Sequence, residues 1–169
     1  GNPNTGKTSV FNQLTGLHQQ VGNYPGITVE KKIGACKLNE TTKATIIDLP
    51  GTYSLNASSI DENVVIELLL NKNDEDFPDV AVVVTEVENL KRNLLLFTQI
   101  KDLKIPTLLV INMSDVMARK GITLDIPKLE KLLNTKIALV STRKGTGLQV
   151  LKSLIEGYRT LPRRLTLAM

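Results

Sequence analysis

The sequence predicts an α/β domain, with a mostly parallel sheet covered by helices on both faces. Short runs rich in β-branched residues alternate along the chain with stretches in which apolar residues recur every three or four positions. The chain has 169 residues, 41% of them hydrophobic and 22% charged. That length suits one compact domain, and these fractions exclude a disordered or fibrous protein.

Four apolar runs are predicted to be buried parallel strands, because parallel strands are covered on both faces. They are Lys43–Asp48, Val80–Thr85, Pro106–Asn112 and Lys136–Ser141. Between and around these runs, five stretches have apolar residues three or four positions apart and are predicted to be helices. These are Thr8–Leu14, Asp61–Leu70, Leu90–Leu103, Ile126–Leu133 and Thr146–Tyr158.

One pair of segments departs from the parallel pattern. Val29–Leu38 and Thr41–Asp48 are separated only by the polar pair Asn39-Glu40, which indicates an antiparallel hairpin. The sequence therefore predicts a six-stranded type of sheet with one antiparallel strand at its edge.

The first eight residues, Gly1–Thr8, read Gly-Asn-Pro-Asn-Thr-Gly-Lys-Thr and match the phosphate-loop pattern G-x-x-x-x-G-K-[ST]. Glycines let successive backbone amides face a phosphate chain, and the helix that follows adds its positive N-terminal end. The alternative is a glycine-rich turn before a helix. The residues predicted to bind nucleotide here are Asn2, Asn4, Thr5, Gly6, Lys7, Thr8 and Ser9.

A magnesium ion is predicted beside this loop. The Thr8 hydroxyl would ligate it, and Asp48, at the end of an apolar strand, would hold its water shell. Gly51, in Asp48-Leu49-Pro50-Gly51, would offer its amide to the γ-phosphate. Thr28 follows a Pro-Gly turn and would join the metal when a triphosphate is present; an ordinary loop is the rival interpretation.

A second motif predicts the base that is bound. Asn112-Met113-Ser114-Asp115 follows an apolar strand and is similar to the Asn-Lys-x-Asp signature of GTPases, in which the aspartate accepts hydrogen bonds from guanine. Adenine lacks that pair of donors, which disfavours an ATPase. Met113 replaces the usual lysine, so we expect specificity to be kept and affinity to be weaker. Ser141, Thr142 and Arg143 stand where a further loop meets guanine.

Together these motifs resemble the cytoplasmic G domain of FeoB-type ferrous iron transporters. The most specific matches are Asn23–Glu30 (Asn-Tyr-Pro-Gly-Ile-Thr-Val-Glu) and Asp48–Leu55 (Asp-Leu-Pro-Gly-Thr-Tyr-Ser-Leu). Glu88–Leu94 and the Arg143–Gly147 run agree as well. The resemblance extends from Gly1 to about Tyr158.

The resemblance implies that GTP is hydrolysed with Mg²⁺ and that Asn4 helps to bind a K⁺ ion. It implies catalytic roles for Lys7, Asn4, Thr28 and Gly51. Thr52 stands where Ras-like proteins carry a glutamine that orients water, so hydrolysis is expected to be slow.

The resemblance also implies the setting in which such a domain works. The family's G domain continues into a helical domain and a membrane permease, with small cytoplasmic accessory proteins as further partners. This places the domain at the cytoplasmic face of the inner membrane. We expect residues 1–158 to form the G domain and residues 159–169 to be a linker or the start of the helical domain. The strand that precedes a phosphate loop is expected to be missing from the sheet.

Two other functions remain open. The basic character of the chain, with a net charge of +4 and an arginine-rich tail, suggests a translation-factor type of GTPase that acts on RNA or the ribosome, although nucleic acid is not the expected partner. The third candidate is a nucleotide sensor with negligible turnover.

Overall fold

Seven strands in the described part of the chain form one sheet. The computed structural model describes residues 6–52, 54–55, 59–158 and 164–169, and of residues 164–167 only the backbone. The strands are β1 (Gln19–Asn23), β2 (Glu30–Lys37), β3 (Lys43–Asp48), β4 (Val80–Glu86), β5 (Thr107–Asn112), β6 (Ile137–Leu139) and β7 (Arg164–Ala168). Their order in the sheet is β1-β2-β3-β7-β4-β5-β6.

The helices are α1 (Lys7–Thr15), α2 (Ile60–Leu70), α3 (Leu90–Asp102), α4 (Ser114–Lys120), α5 (Ile126–Leu133) and α6 (Leu148–Gly157). All five predicted helices are confirmed, with ends within two residues of the predicted ones. Helix α4 was not predicted. Among the described residues, no helix combines the length and apolar character that crossing a membrane requires.

Two apolar clusters cover the two faces of the sheet, which confirms the predicted α/β layering. Phe11 of α1 and Leu151 of α6 are fully buried on one face. Leu68 of α2 and Phe97 of α3 are buried on the other. Helix α1, which follows the phosphate loop, is therefore held against the sheet by its own core side chains.

The antiparallel part of the sheet needs one correction. Strands β2 and β3 form the predicted hairpin, with Lys37 opposite Lys43. However, β2 does not lie at the edge, because β1 pairs with its other side. Strand β1 is polar and exposed over most of its length, so it lacks the apolar alternation by which a strand is predicted.

The centre of the sheet holds the largest departure from the sequence prediction. Strand β7 lies between β3 and β4 and runs parallel to both. The central position, expected to be missing a strand, is thus filled by Arg164–Ala168, part of a region predicted as a linker or the start of a following helical domain. The physical reason is that β3 and β4 would otherwise leave buried backbone groups without hydrogen-bond partners. The proposed boundary of the G domain at residue 158 remains a prediction.

The end of β7 ties down the end of β3. The backbone N–H of Met169 donates to the Ile47 carbonyl at 3.0 Å, and the N–H of Leu49 donates to the Met169 carbonyl at 3.1 Å. These two bonds flank Asp48. The central strand therefore fixes the backbone on both sides of this carboxylate.

A proline in β7 tests its central position. Leu167 pairs with Ile46 of β3 and with Val80 of β4, so its N–H faces a neighbouring strand in either direction. We expect Leu167→Pro to lower the free energy of unfolding in urea by about 3 kcal/mol or more. Val21→Pro is the matched control, because β1 lies at the edge of the described sheet, beside β2 alone, and should lose less. Equal losses in the two variants would contradict a central β7.

Candidate functional site

The phosphate side of the site begins where α1 starts. Gly6 precedes the first helical residue, Lys7, and has a φ of 77°, a left-handed conformation that favours glycine. A β-carbon at Gly6 would lie 2.3 Å from Nδ2 of Asn112. Both conformation and space therefore require glycine at the end of the phosphate loop.

Lys7 is buried and bound to the end of β3. Its ammonium group forms an ion pair with the carboxylate of Asp48 and donates a hydrogen bond of 2.6 Å to the Leu49 carbonyl. Lys7 is 6% exposed and Asp48 8% exposed. The two charges that the sequence assigned to phosphate and to magnesium are thus in direct contact.

One cleft gathers the predicted phosphate and metal residues. Lys7, Thr8, Asp48 and Gly51 all line it, together with Val29, Glu30, Lys32 and Asp61. Thr28 is not among the residues that line this cleft, although the next residue, Val29, is. The Thr8 hydroxyl and the Asp48 carboxylate are hard oxygen donors in one cleft, a donor set that fits Mg²⁺.

The base side of the site lies at the ends of β5 and β6. Asn112, the last residue of β5, is buried, and its Oδ1 accepts a hydrogen bond of 3.2 Å from the backbone N–H of Thr142. Since Asn112 Nδ2 also lies against Gly6, one side chain contacts both the phosphate loop and the loop after β6.

Asp115 is held by the same loop. The hydroxyl of Ser141 donates to Asp115 Oδ1 at 3.0 Å and accepts from the backbone N–H of Lys144 at 3.2 Å. The Ser141 hydrogen bond is the main cause that lowers the pKa of the Asp115 carboxyl, and it outweighs the opposing effect of desolvation. Asp115 is therefore a fixed anion, as acceptance of two hydrogen bonds from guanine would require.

Met113 forms the turn between β5 and α4. It has a φ of 66° and stands immediately before that helix. A left-handed conformation is costly for a residue with a β-carbon and tends to persist at functional sites. Here it allows Asn112 and Asp115, three positions apart, both to be buried in the site.

Of the remaining predicted residues, the structure describes two and leaves three undescribed. Ser9 and Arg143 are exposed. Asn2, Asn4 and Thr5 lie outside the described residues. The interpretations of those three positions stay predictions.

Gln13 was missed by the sequence reasoning, and Thr52 makes a contact that this reasoning did not indicate. The side-chain amide of Gln13, on α1, donates to the Thr142 carbonyl and so links the phosphate-loop helix to the base loop. The hydroxyl of Thr52 donates to the Ser54 carbonyl at 2.7 Å. No sequence signal marks Gln13, whereas Thr52 was singled out by its position and not by this contact.

Fold and site together define a GTPase-type nucleotide-binding domain. The family model described as ferrous iron transport protein B matches residues 1–155. The chain belongs to the FeoB family, and the matched region is the N-terminal G domain of that family.

Relatives and solved structures agree with this placement. The Fe(2+) transporter FeoB of Leptospira biflexa is 44% identical over 162 residues, which cover 94% of this chain and 23% of the relative. The G domain of T. maritima FeoB is 37% identical with a TM-score of 0.83, and 93% of each chain is covered. The T. maritima cytosolic domain in its GMPPNP form has a TM-score of 0.84 at 35% identity, covering 99% of this chain and 64% of that one. The chain thus spans about a quarter of the length of the transporter that it resembles.

Removing the Ser141 hydroxyl tests how Asp115 is held. A carboxyl with a lowered pKa stabilises the folded state above its unfolded pKa, and this stabilisation is lost as the pH falls through the folded pKa. We expect Ser141→Ala to lower the free energy of unfolding at pH 7 and the difference from wild type to shrink below about pH 4.

Ser153→Ala is the control for this comparison, because the Ser153 hydroxyl is exposed on α6 and donates to the Gln149 carbonyl of the same helix. Its effect should not depend on pH. Urea unfolding between pH 3 and 7 measures both variants, and a difference for Ser141→Ala that is the same at every pH would contradict the assigned contact.

Proposed function

We propose that this chain binds guanine nucleotide with Mg²⁺ and hydrolyses GTP slowly, as the regulatory domain of a ferrous iron transporter. The observation that carries the proposal is that the side chain of Asn112 contacts both the phosphate loop, at Gly6, and the loop after β6, at Thr142. A nucleotide has to span these two features. The solved T. maritima cytosolic domain has GDP and GMPPNP forms, which supports the same ligand class here.

Base selection follows from Asp115. A buried carboxylate that stays ionised accepts hydrogen bonds but cannot donate them. The matching edge of guanine offers two donors, whereas adenine at this place would offer the carboxylate no such pair and leave it only the hydrogen bond from Ser141. A buried carboxylate with unused acceptor sites is costly, so discrimination against adenine is expected to be strong.

Phosphate binding follows from the start of α1. Lys7 would contact the β- and γ-phosphates, and the amides at the helix N-terminus would face the same groups. Mg²⁺, when bound, supplies positive charge to the phosphates, and Thr8 and Asp48 are the residues that would hold it. The Gly51 amide would meet the γ-phosphate, since no side chain blocks that approach.

Slow hydrolysis follows from Thr52. Its side chain is 5% exposed, and its hydroxyl is occupied by the backbone of Ser54. It is therefore poorly placed to orient an attacking water. The same observation favours a second candidate function, a nucleotide sensor that acts through its bound state with negligible turnover, and single-turnover kinetics separate the two.

Lys7→Ala tests the nucleotide site directly. Loss of charge-assisted hydrogen bonds to phosphate, each about 1.5–3 kcal/mol, should weaken binding of GDP with Mg²⁺ by about a hundredfold or more. Lys32→Ala is the control, since Lys32 lines the same cleft but pairs with Glu30 at 3.3 Å at the surface. Titration of a fluorescent GDP analogue measures both, and unchanged affinity in Lys7→Ala would refute the assignment.

The proposed role of Asn4 predicts dependence on the monovalent cation. We expect GTP turnover to be faster in K⁺ than in Na⁺, because a bound K⁺ would add positive charge beside the transferred phosphate. Asn4→Ala should remove this difference. Phosphate release under multiple turnover is the measurement, and equal rates in the two salts for the unmodified chain would refute the ion site.

A further inference from the structure

The two edges of the described sheet differ in how they are protected. Edge strands present unpaired N–H and C=O groups, which proteins usually shield with charged residues, proline, bulges or a short strand. At one edge, β6 has only three residues and follows the exposed Lys136. At the other, β1 contains no charged residue and no proline, and its register against β2 is unbroken from Gln19 to Asn23. Among the described strands, β1 is therefore the open edge.

The hydrogen bonds at both ends of β1 show which of its backbone groups face outwards. The His18 carbonyl accepts from the Ala35 N–H at 2.9 Å, and the Tyr24 N–H donates to the Val29 carbonyl at 3.0 Å. In an antiparallel pair, hydrogen-bonded positions alternate with positions whose backbone groups point away. Both ends give the same alternation, in which the even-numbered residues bond to β2. The residues whose backbone groups face the open edge are therefore Gln19, Val21 and Asn23.

We propose that β1 pairs antiparallel with β1 of a second copy of this chain, in a two-fold dimer centred on Val21. In this register Val21 meets Val21 of the other copy, and Gln19 meets Asn23 at each end. Each opposed pair exchanges two hydrogen bonds, so every outward N–H and C=O of β1 gains a partner. This surface does not involve the nucleotide, so it stands apart from the proposed function.

A second copy fits this edge because the strand is complementary to itself. Any antiparallel register that is not centred on Val21 leaves at least one outward residue unpaired. Pairing about a two-fold axis uses the same edge of both chains and therefore closes at two copies. The strand carries no charge, so like charges do not oppose each other across the pair. The amide side chains of Gln19 and Asn23, which meet at each end, offer both donors and acceptors.

The flanks of the strand add apolar surface rather than charge. Leu17, two residues before β1, is 99% exposed, and Val21 is 62% exposed. Continuing the register beyond the strand brings Leu17 towards Pro25 of the other copy, which is exposed as well. The strand has only five residues, so the contact area is small. We therefore expect a weak, reversible dimer, at the lower end of the size range of protein interfaces.

Sedimentation equilibrium of the unmodified chain tests for the dimer, over about 10 μM to 1 mM, where a weak association is measured. The mean mass should rise with concentration towards that of two chains. Val21→Pro should stay a monomer throughout, because it lacks the N–H at the centre of the pairing. That N–H faces away from β2, so the variant should keep its fold, which its urea unfolding checks.

Val21→Thr is the matched control for the proline variant. Threonine keeps the N–H and is favourable in strands, so this variant should dimerise as the unmodified chain does. Loss of the dimer in both variants would show docking of the valine side chain instead of backbone pairing, and would overturn the proposal. A dimer that survives in Val21→Pro would overturn it too, as would an unmodified chain that is monomeric at every concentration.

Disulfide crosslinking tests the register, and it remains decisive if Val21→Pro fails to fold. Cys36→Ala first removes the native thiol, which is buried. In that chain, Val21→Cys places two thiols at the centre of the pair, where Cα atoms about 5.5 Å apart lie within reach of a disulfide.

Gln20→Cys is the control for crosslinking, because Gln20 is as exposed as Val21 but would face Gly22 of the other copy. Its two thiol-bearing residues would lie more than about 7 Å apart, too far for a disulfide. With oxidised glutathione as the oxidant, Val21→Cys should form a covalent dimer at least about tenfold faster than Gln20→Cys. Equal rates in the two variants would contradict the pairing centred on Val21.

Discussion

A buried ion pair at the carboxyl end of a parallel sheet is the constraint on which the site depends. Lys7 and Asp48 are each more than nine-tenths buried, and a charge removed from water in this way is tolerated only with a partner. The partner must also be held in position. Strand β7 does this, because Met169 bonds to the backbone on both sides of Asp48. The centre of the sheet thus determines where the two charges of the phosphate site lie.

The base half of the site is linked to the phosphate half by side chains rather than by the sheet alone. Asn112 packs against Gly6 and accepts from Thr142, and Gln13 on α1 donates to the same loop. These contacts join α1, β5 and the loop after β6 into one polar network. The hydrogen bonds of this network, which runs from the buried Asn112 to the exposed Gln13, favour a single arrangement of the groups that they join. Movement of the phosphate loop would therefore be transmitted to the groups that would hold the base.

The sequence was informative wherever chemistry needs particular residues at short spacing. The Gly1–Thr8 pattern and the aspartates predicted a nucleotide site, and the Asn23–Glu30 and Asp48–Leu55 segments predicted the family. Apolar periodicity predicted five helices and four parallel strands. It was uninformative where structure arises from distant pairing. Strand β7 pairs with strands far away in the chain, and β1 is a polar segment that, among the described strands, pairs with β2 alone. Met113 adopts a left-handed conformation just before α4, and because it is not a glycine, the sequence gives no sign of that turn.

Amide hydrogen exchange of β7 tests most directly whether the central strand organises the site. In the nucleotide-free chain, residues 165–169 and Leu49 are predicted to exchange as slowly as Val82–Val84 in the middle of β4, since all of them would open only with the sheet. Exchange of residues 165–169 at the rate of an unstructured peptide, while Val82–Val84 remain protected, would contradict the account. In that case something other than β7 would have to hold Asp48 against Lys7.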